Sequence, residues 1–151
     1  MFGEQAKKVF SDLSLPFSAV AVRFCRNRPD GYEQAQGTGV FCSFLKKAQD
    51  ENRAFYIAVE NETCMGKVVL GMADLETRHG SGQVGCELGA FRTPAANARL
   101  YYEAPMIKRG VCNFVVFSPV ALCDFDPDLV ICIAPTDQAQ LLLRASSYIS
   151  G

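Results

Sequence analysis

Four short apolar runs constrain this chain more than any other feature. Ser18 to Cys25 (SAVAVRFC), Ala54 to Val59 (AFYIAV), Cys112 to Phe117 (CNFVVF) and Leu129 to Ile133 (LVICI) are rich in β-branched and aromatic residues, and polar or turn residues bound each one. Runs of this length and composition predict strands. None approaches the roughly 18 apolar residues that a membrane span needs. The segments between them carry a different period. Phe2, Ala6, Val9, Phe10 and Leu13 recur at steps of three and four, which predicts an amphipathic helix ending before Pro16. Val40, Phe41, Phe44, Leu45 and Ala48 form a second such stripe, with Thr38 or Gly39 as its cap. Cys64 to Met72 predicts a short third helix capped by Thr63 or Asn61, with Cys64 in its first turn. Thr93-Pro94 opens a fourth that runs to Tyr102 or Glu103. The last runs from Thr136 or Asp137 to Ser147, where Asp137 and Gln140 stand at capping-box spacing. The expected class is α/β or α+β, with a mixed sheet of about four or five strands and helices packed against it.

A chain of 151 residues with 49% hydrophobic residues can build one domain with a real core. We therefore expect a single domain over residues 1–151, without internal repeats or a linker. The net charge of −1 gives no global field toward nucleic acid or an anionic membrane. Met1 to Lys8 lacks the apolar run of a secretion signal. Seven cysteines cannot all pair within one chain, so a reducing cytoplasm is expected.

The cysteines carry the chemical clue. Cys42 and Cys64 each fall in the predicted first turn of a helix, where free backbone N–H groups favour a thiolate or a metal ligand. Their apolar neighbours Phe41 and Met65 equally fit buried, inert thiols. Cys86 follows a glycine-rich loop and is the third candidate if that loop folds over the two helix starts. No CxxC pair exists, so a zinc or iron–sulfur site would be assembled from distant segments. Cys25, Cys112, Cys123 and Cys132 lie in or beside apolar runs and read as structural.

Other motifs say less. Gly80, Gly82 and Gly85 match GxGxxG, but the polar segment before them is not a buried strand, so dinucleotide binding is a poor fit. They remain candidates for shaping a ligand loop. Gly37, Thr38 and Gly39 before the second helix make a better anion cradle, although a plain helix entry explains them too. His79 is the sole histidine, so any Cys-His mechanism must use it. Its polar surroundings suggest simple exposure unless Cys64 or Cys86 is its neighbour. Asp124, Asp126 and Asp128 alternate like the start of a calcium loop, but Pro127 interrupts them and they read as a solvated turn. Arg23, Arg26 and Arg28 are the densest basic cluster, too small to argue RNA binding.

Several short motifs in order resemble a known family. Pro16 to Val22 (PFSAVAV), the Cys42-led segment CSFLKKA, Cys64-Met65-Gly66 with Leu70-Gly71, Ser118-Pro119, Pro127 to Val130 (PDLV) and Ala134-Pro135 are similar to the archaeal and bacterial group known as domain of unknown function one hundred and sixty-nine. The resemblance covers most of the chain and names no reaction. It implies a chain shorter than many members, which extend past the last helix with further cysteine-bearing segments. The resulting expectation is a cytoplasmic, cysteine-dependent binding or redox protein. Cys42, Cys64 and Cys86 would be thiolates or ligands of zinc or an iron–sulfur cluster. The alternatives are a small-molecule or partner-binding module without catalysis, and a structural subunit of a homo-oligomer. Neither a membrane nor nucleic acid is an expected partner.

Overall fold

The structure, a computed structural model, describes residues 3–150. In chain order the elements are α1 (Glu4–Asp12), β1 (Val20–Cys25), α2 (Phe41–Glu51), β2 (Phe55–Ala58), α3 (Gly66–Val69), α4 (Thr77–Gly80), α5 (Gln83–Glu87), α6 (Pro94–Glu103), β3 (Phe114–Pro119), a 3-10 turn (Val120–Leu122), β4 (Leu129–Ile131) and α7 (Thr136–Ser150). Phe2, the first residue of the predicted amphipathic stripe, lies outside the described residues.

The four apolar runs are the four strands, and they form one sheet in the order β2-β3-β1-β4. All three ladders are antiparallel. The mixing expected of the sheet is confined to two isolated parallel bridges, Gln34 with Tyr56 and Gly39 with Glu62. With its helices segregated from an antiparallel sheet, the chain is an α+β fold.

Strand alternation gives the sheet two faces. On one face Val20, Val22, Phe55, Ile57, Val115 and Phe117 are all buried and pack against Phe44 and Ala48 of α2, with Leu70, Met72 and Cys112. Phe117 meets Phe41, Phe44 and Phe55 at ring separations of 5.1, 6.2 and 5.7 Å. On the other face Ala19, Ala21, Tyr56 and Val116 pack with Val120, Cys123 and Phe125, and Phe10 of α1 leans against them.

Two helical segments differ from the sequence expectation. The helix predicted over Cys64 to Met72 is a single turn, because the Ile107 N–H donates to Val69 O (2.9 Å) and the chain leaves through Gly71 at φ +69°. A side chain at Gly71 would strike the Ile107 carbonyl. The glycine-rich stretch that leads to Cys86, read from the sequence as a loop, contains α4 and α5. These pack on α6, and Gly82 makes that possible: at φ +78° it lies against the Pro94 carbonyl, where no Cβ fits. Asn97 of α6 is buried and donates to Gly82 O at 3.0 Å. The start of α6 is capped as predicted, with Thr93 Oγ1 accepting from Ala96 N. Among the described residues no helix is long and apolar enough to cross a membrane.

Candidate functional site

A buried polar pair, Asn61 and Glu62, organises the region around Cys64. The pair follows β2 after Val59 and Glu60 and is only 5% and 2% exposed. Asn61 Oδ1 accepts from Ala58 N (3.0 Å), and its Nδ2 donates to the carbonyls of Ala35 (3.0 Å) and Gly37 (2.8 Å). Gly39 N–H donates to Asn61 O, and Gly39 O accepts from both the N–H (2.8 Å) and the Oγ1 (3.0 Å) of Thr63. The Gly37-Thr38-Gly39 loop is thus stitched to the segment that carries Cys64. Its inward-facing groups are spent on that stitching, while Thr38 lines a shallow groove along α2.

The loop leads into α2 through a local device. Ser43 Oγ accepts from Val40 N (3.1 Å) and donates to Val40 O (2.7 Å), closing the first turn in place of a side-chain cap. Cys42, the second residue of this eleven-residue helix, lies in its first turn as predicted, and it is exposed. Cys64 is exposed too, but it stands ahead of the single turn α3 rather than inside it. What fixes it is the carboxylate of Glu62, whose Oε1 accepts the Cys64 N–H at 2.8 Å. The second oxygen, Oε2, is buried without a hydrogen-bond partner, about where Gly66 passes closest to it. Gly66 also lies against Phe41, the neighbour of Cys42, so the two cysteine-bearing segments run side by side.

Cys64 opens onto a cleft of about 270 Å³ lined by Thr63, Met65, Lys67, Val68, Asp74, Glu76 and His79. The lone histidine, on α4, therefore shares a cavity with a cysteine. Its Nδ1 lies 3.5 Å from Glu76 Oε2, within ion-pair reach of the protonated ring, and makes no hydrogen bond. Tyr101 of α6 meets the imidazole edge-on at 6.4 Å. Asp74 is held toward Arg109 at 3.4 Å, whereas Lys67 has no carboxylate partner among the described residues.

Cys86 is elsewhere. It sits half-buried on α5, its Sγ 3.9 Å from Arg92 O, and does not line the cleft. Gly80, Gly82 and Gly85 are buried where α4 and α5 press on Tyr102, Pro94 and Asn97 of α6, which gives them a packing role. Among the described residues, no group of three or more His, Cys, Asp or Glu side chains is arranged to hold a metal ion. All seven cysteines are free thiols. Cys112 and Cys123 are buried, and burial pushes both thiols up, that of Cys112 to about 11.

A family model described as uncharacterised ArCR, DUF169, matches residues 9–151. The chain belongs to this family. Its Cys64-Met65-Gly66 and Cys42 segments, two of the motifs that carried the resemblance, are the two that meet beside the cleft. The uncharacterized protein MJ0308 of Methanocaldococcus jannaschii is 25% identical over 153 residues, covering 98% of this chain. The chain spans 65% of that relative's length. No solved structure matches.

Glu62, Lys67 and Glu76 were not singled out from the sequence, and Asn61, expected as a helix cap, instead ties the Ala35–Gly37 segment to the end of β2. The available signal was a short polar stretch, Glu60 to Thr63, between two apolar segments, since a Glu there is buried only when something holds it.

Proposed function

We propose that this DUF169 protein is a cytoplasmic, cysteine-dependent protein in which Cys64 is the reactive thiol. The carrying observation is the cleft that places Cys64, His79 and the Glu76 carboxylate around one cavity. A nucleophile, a base and an acid that orients the base are the three parts that thiol chemistry needs. His79 accepts the Sγ proton, Glu76 steadies the imidazolium so formed, and the thiolate is left facing the cavity. Glu62 positions the nucleophile by holding its backbone N–H, and Lys67 offers an unpaired ammonium to an anionic part of the substrate. At about 270 Å³ the cavity falls just under the range of ligand sites, which starts at about 300 Å³. A small molecule fits better than a peptide or nucleic acid. Cys42 lies beside this assembly as a second accessible thiol, and Cys86 plays no part in the reading.

The test is anaerobic purification followed by iron, sulfide and zinc analysis and by reaction with a small alkylating agent, repeated for Cys64→Ser and Cys42→Ser. The reading expects one fast thiol, lost only in Cys64→Ser, and no stoichiometric metal. Stoichiometric metal that disappears in either variant would replace the thiolate reading with the metal or iron–sulfur centre. Equally slow alkylation of Cys42 and Cys64 would replace it with a binding module without chemistry.

A further inference from the structure

We propose that a second site, on the opposite face of the sheet from α2, binds the phosphate group of a small phosphorylated ligand through Arg23, Arg26 and Arg28. These three arginines line one groove of about 400 Å³ together with Cys25, Asn27, Asp30 and Tyr32.

Their lack of carboxylate partners among the described residues sets them apart. Arg53, Arg78, Arg99 and Arg109 each have a carboxylate, at 2.9, 2.6, 2.9 and 3.4 Å. Arg23, Arg26 and Arg28 have none among the described residues, although Asp30 lines the same groove. Arg92 and Arg144 also lack one, but each is isolated in the sequence. Three guanidinium groups without a carboxylate partner thus share one concavity, an arrangement of charge that a bound anion complements. Guanidinium is also the group whose planar fork matches phosphate oxygens in pairs.

The groove rests on a rigid frame. Asn113 holds the chain at both points where it leaves β1, its N–H donating to Cys25 O and its Nδ2 to Arg26 O, each at 2.8 Å. Phe24 N–H donates to Asp128 Oδ2 at 2.7 Å. Register places Tyr56, Val116 and Arg23 in one row across three strands, so Arg23 starts roughly 10 Å from Tyr56, two strand spacings away. Arg28 lies over the Tyr56 ring at 5.6 Å, which fixes its guanidinium on the far side of that gap. Tyr32 and Cys25 add no negative charge: burial raises the Cys25 thiol, and burial with the hydrogen bond to Asp124 raises the Tyr32 phenol.

The surroundings choose a compact anion over a polymer. The acidic turn Asp124 to Asp128 abuts the groove through the Tyr32–Asp124 and Phe24–Asp128 contacts, and the whole chain carries a net charge of −1. An extended nucleic-acid backbone would have to cross those carboxylates, whereas one phosphate or pyrophosphate group stays within the arginines.

Calorimetric titration of the intact chain at low ionic strength tests this, with inorganic pyrophosphate, adenosine triphosphate and a short single-stranded RNA as separate probes. Pyrophosphate and the nucleotide are expected to bind. Arg26→Gln or Arg28→Gln should each weaken binding about tenfold, and the Arg23→Gln/Arg26→Gln/Arg28→Gln variant should abolish it. Arg99→Gln, which removes a paired surface arginine on α6, should leave it unchanged. Because all three groove arginines are exposed, a thermal melt identical to wild type verifies that the triple variant is folded. The proposal is overturned by no binding of pyrophosphate and nucleotide at millimolar concentration, by unchanged affinity in the triple variant, or by RNA binding tighter than either small probe.

Discussion

The two faces of the sheet are built from the same strands, yet they solve different problems. On the face covered by α2, four phenylalanines interlock and every strand residue pointing that way from β2 is buried. The opposite face is closed around Ala19, Ala21, Tyr56 and Val116 by α1, the 3-10 turn and Phe125. Its far end, beyond Val116, carries Arg23 and the half-buried Phe114 and Cys25. The difference is between a face given over to apolar packing and a face that leaves charge exposed at one strand end. The closed face pins a cover whose connecting segments hold Cys64, and the open face leaves cationic side chains at a strand end.

The sharpest test of that contrast uses one residue type on one strand. Phe117→Ala on the closed face should cost about 4 kcal/mol by urea denaturation, and Phe114→Ala on the open face about half of that. Equal losses would mean that the faces are equally packed. Asn61→Ala should follow at about 3 kcal/mol, because it strands the Ala58 N–H and two carbonyls in a buried place. It should also loosen the Gly37–Gly39 loop, read as faster amide exchange there than at α6.

Alkaline pH separates the faces differently. Cys112, in the closed core, holds its proton up to about 11, whereas the unfolded chain loses it near 9.0. Its contribution to stability is fully present below 9 and is lost as pH rises from 9 toward 11. Denaturation midpoints across that range should fall, and Cys112→Ala should flatten the decline. The smallest expected effect is outside the sheet: Thr93→Ala removes the α6 cap and should cost about 1 kcal/mol. A much larger loss would show that α4, α5 and α6 unfold with the core.

The strands and long helices were legible because apolar period survives in runs such as VAVRFC and FCSFLKKA. The turns TRHG and QVGCE were not, since four or five residues are too short to show a period and their helicity depends on packing against Asn97 and Pro94 of α6. Cys42 and Cys64 were legible as candidates from their position after loops. The histidine that shares the Cys64 cleft was not, because His79 reaches it through the packing of α4, which no local pattern encodes. Cys86 illustrates the converse, a thiol close in sequence to the glycine loop yet turned toward Arg92.

The most direct measurement is the alkylation rate of each cysteine, followed by mass spectrometry of peptides, in wild type and His79→Gln. Cys64 should react first and Cys112 and Cys123 last, and His79→Gln should slow Cys64 about tenfold while leaving Cys42 unchanged. A Cys64 rate that matches Cys42 in both proteins would contradict a thiol site built from Cys64 and His79.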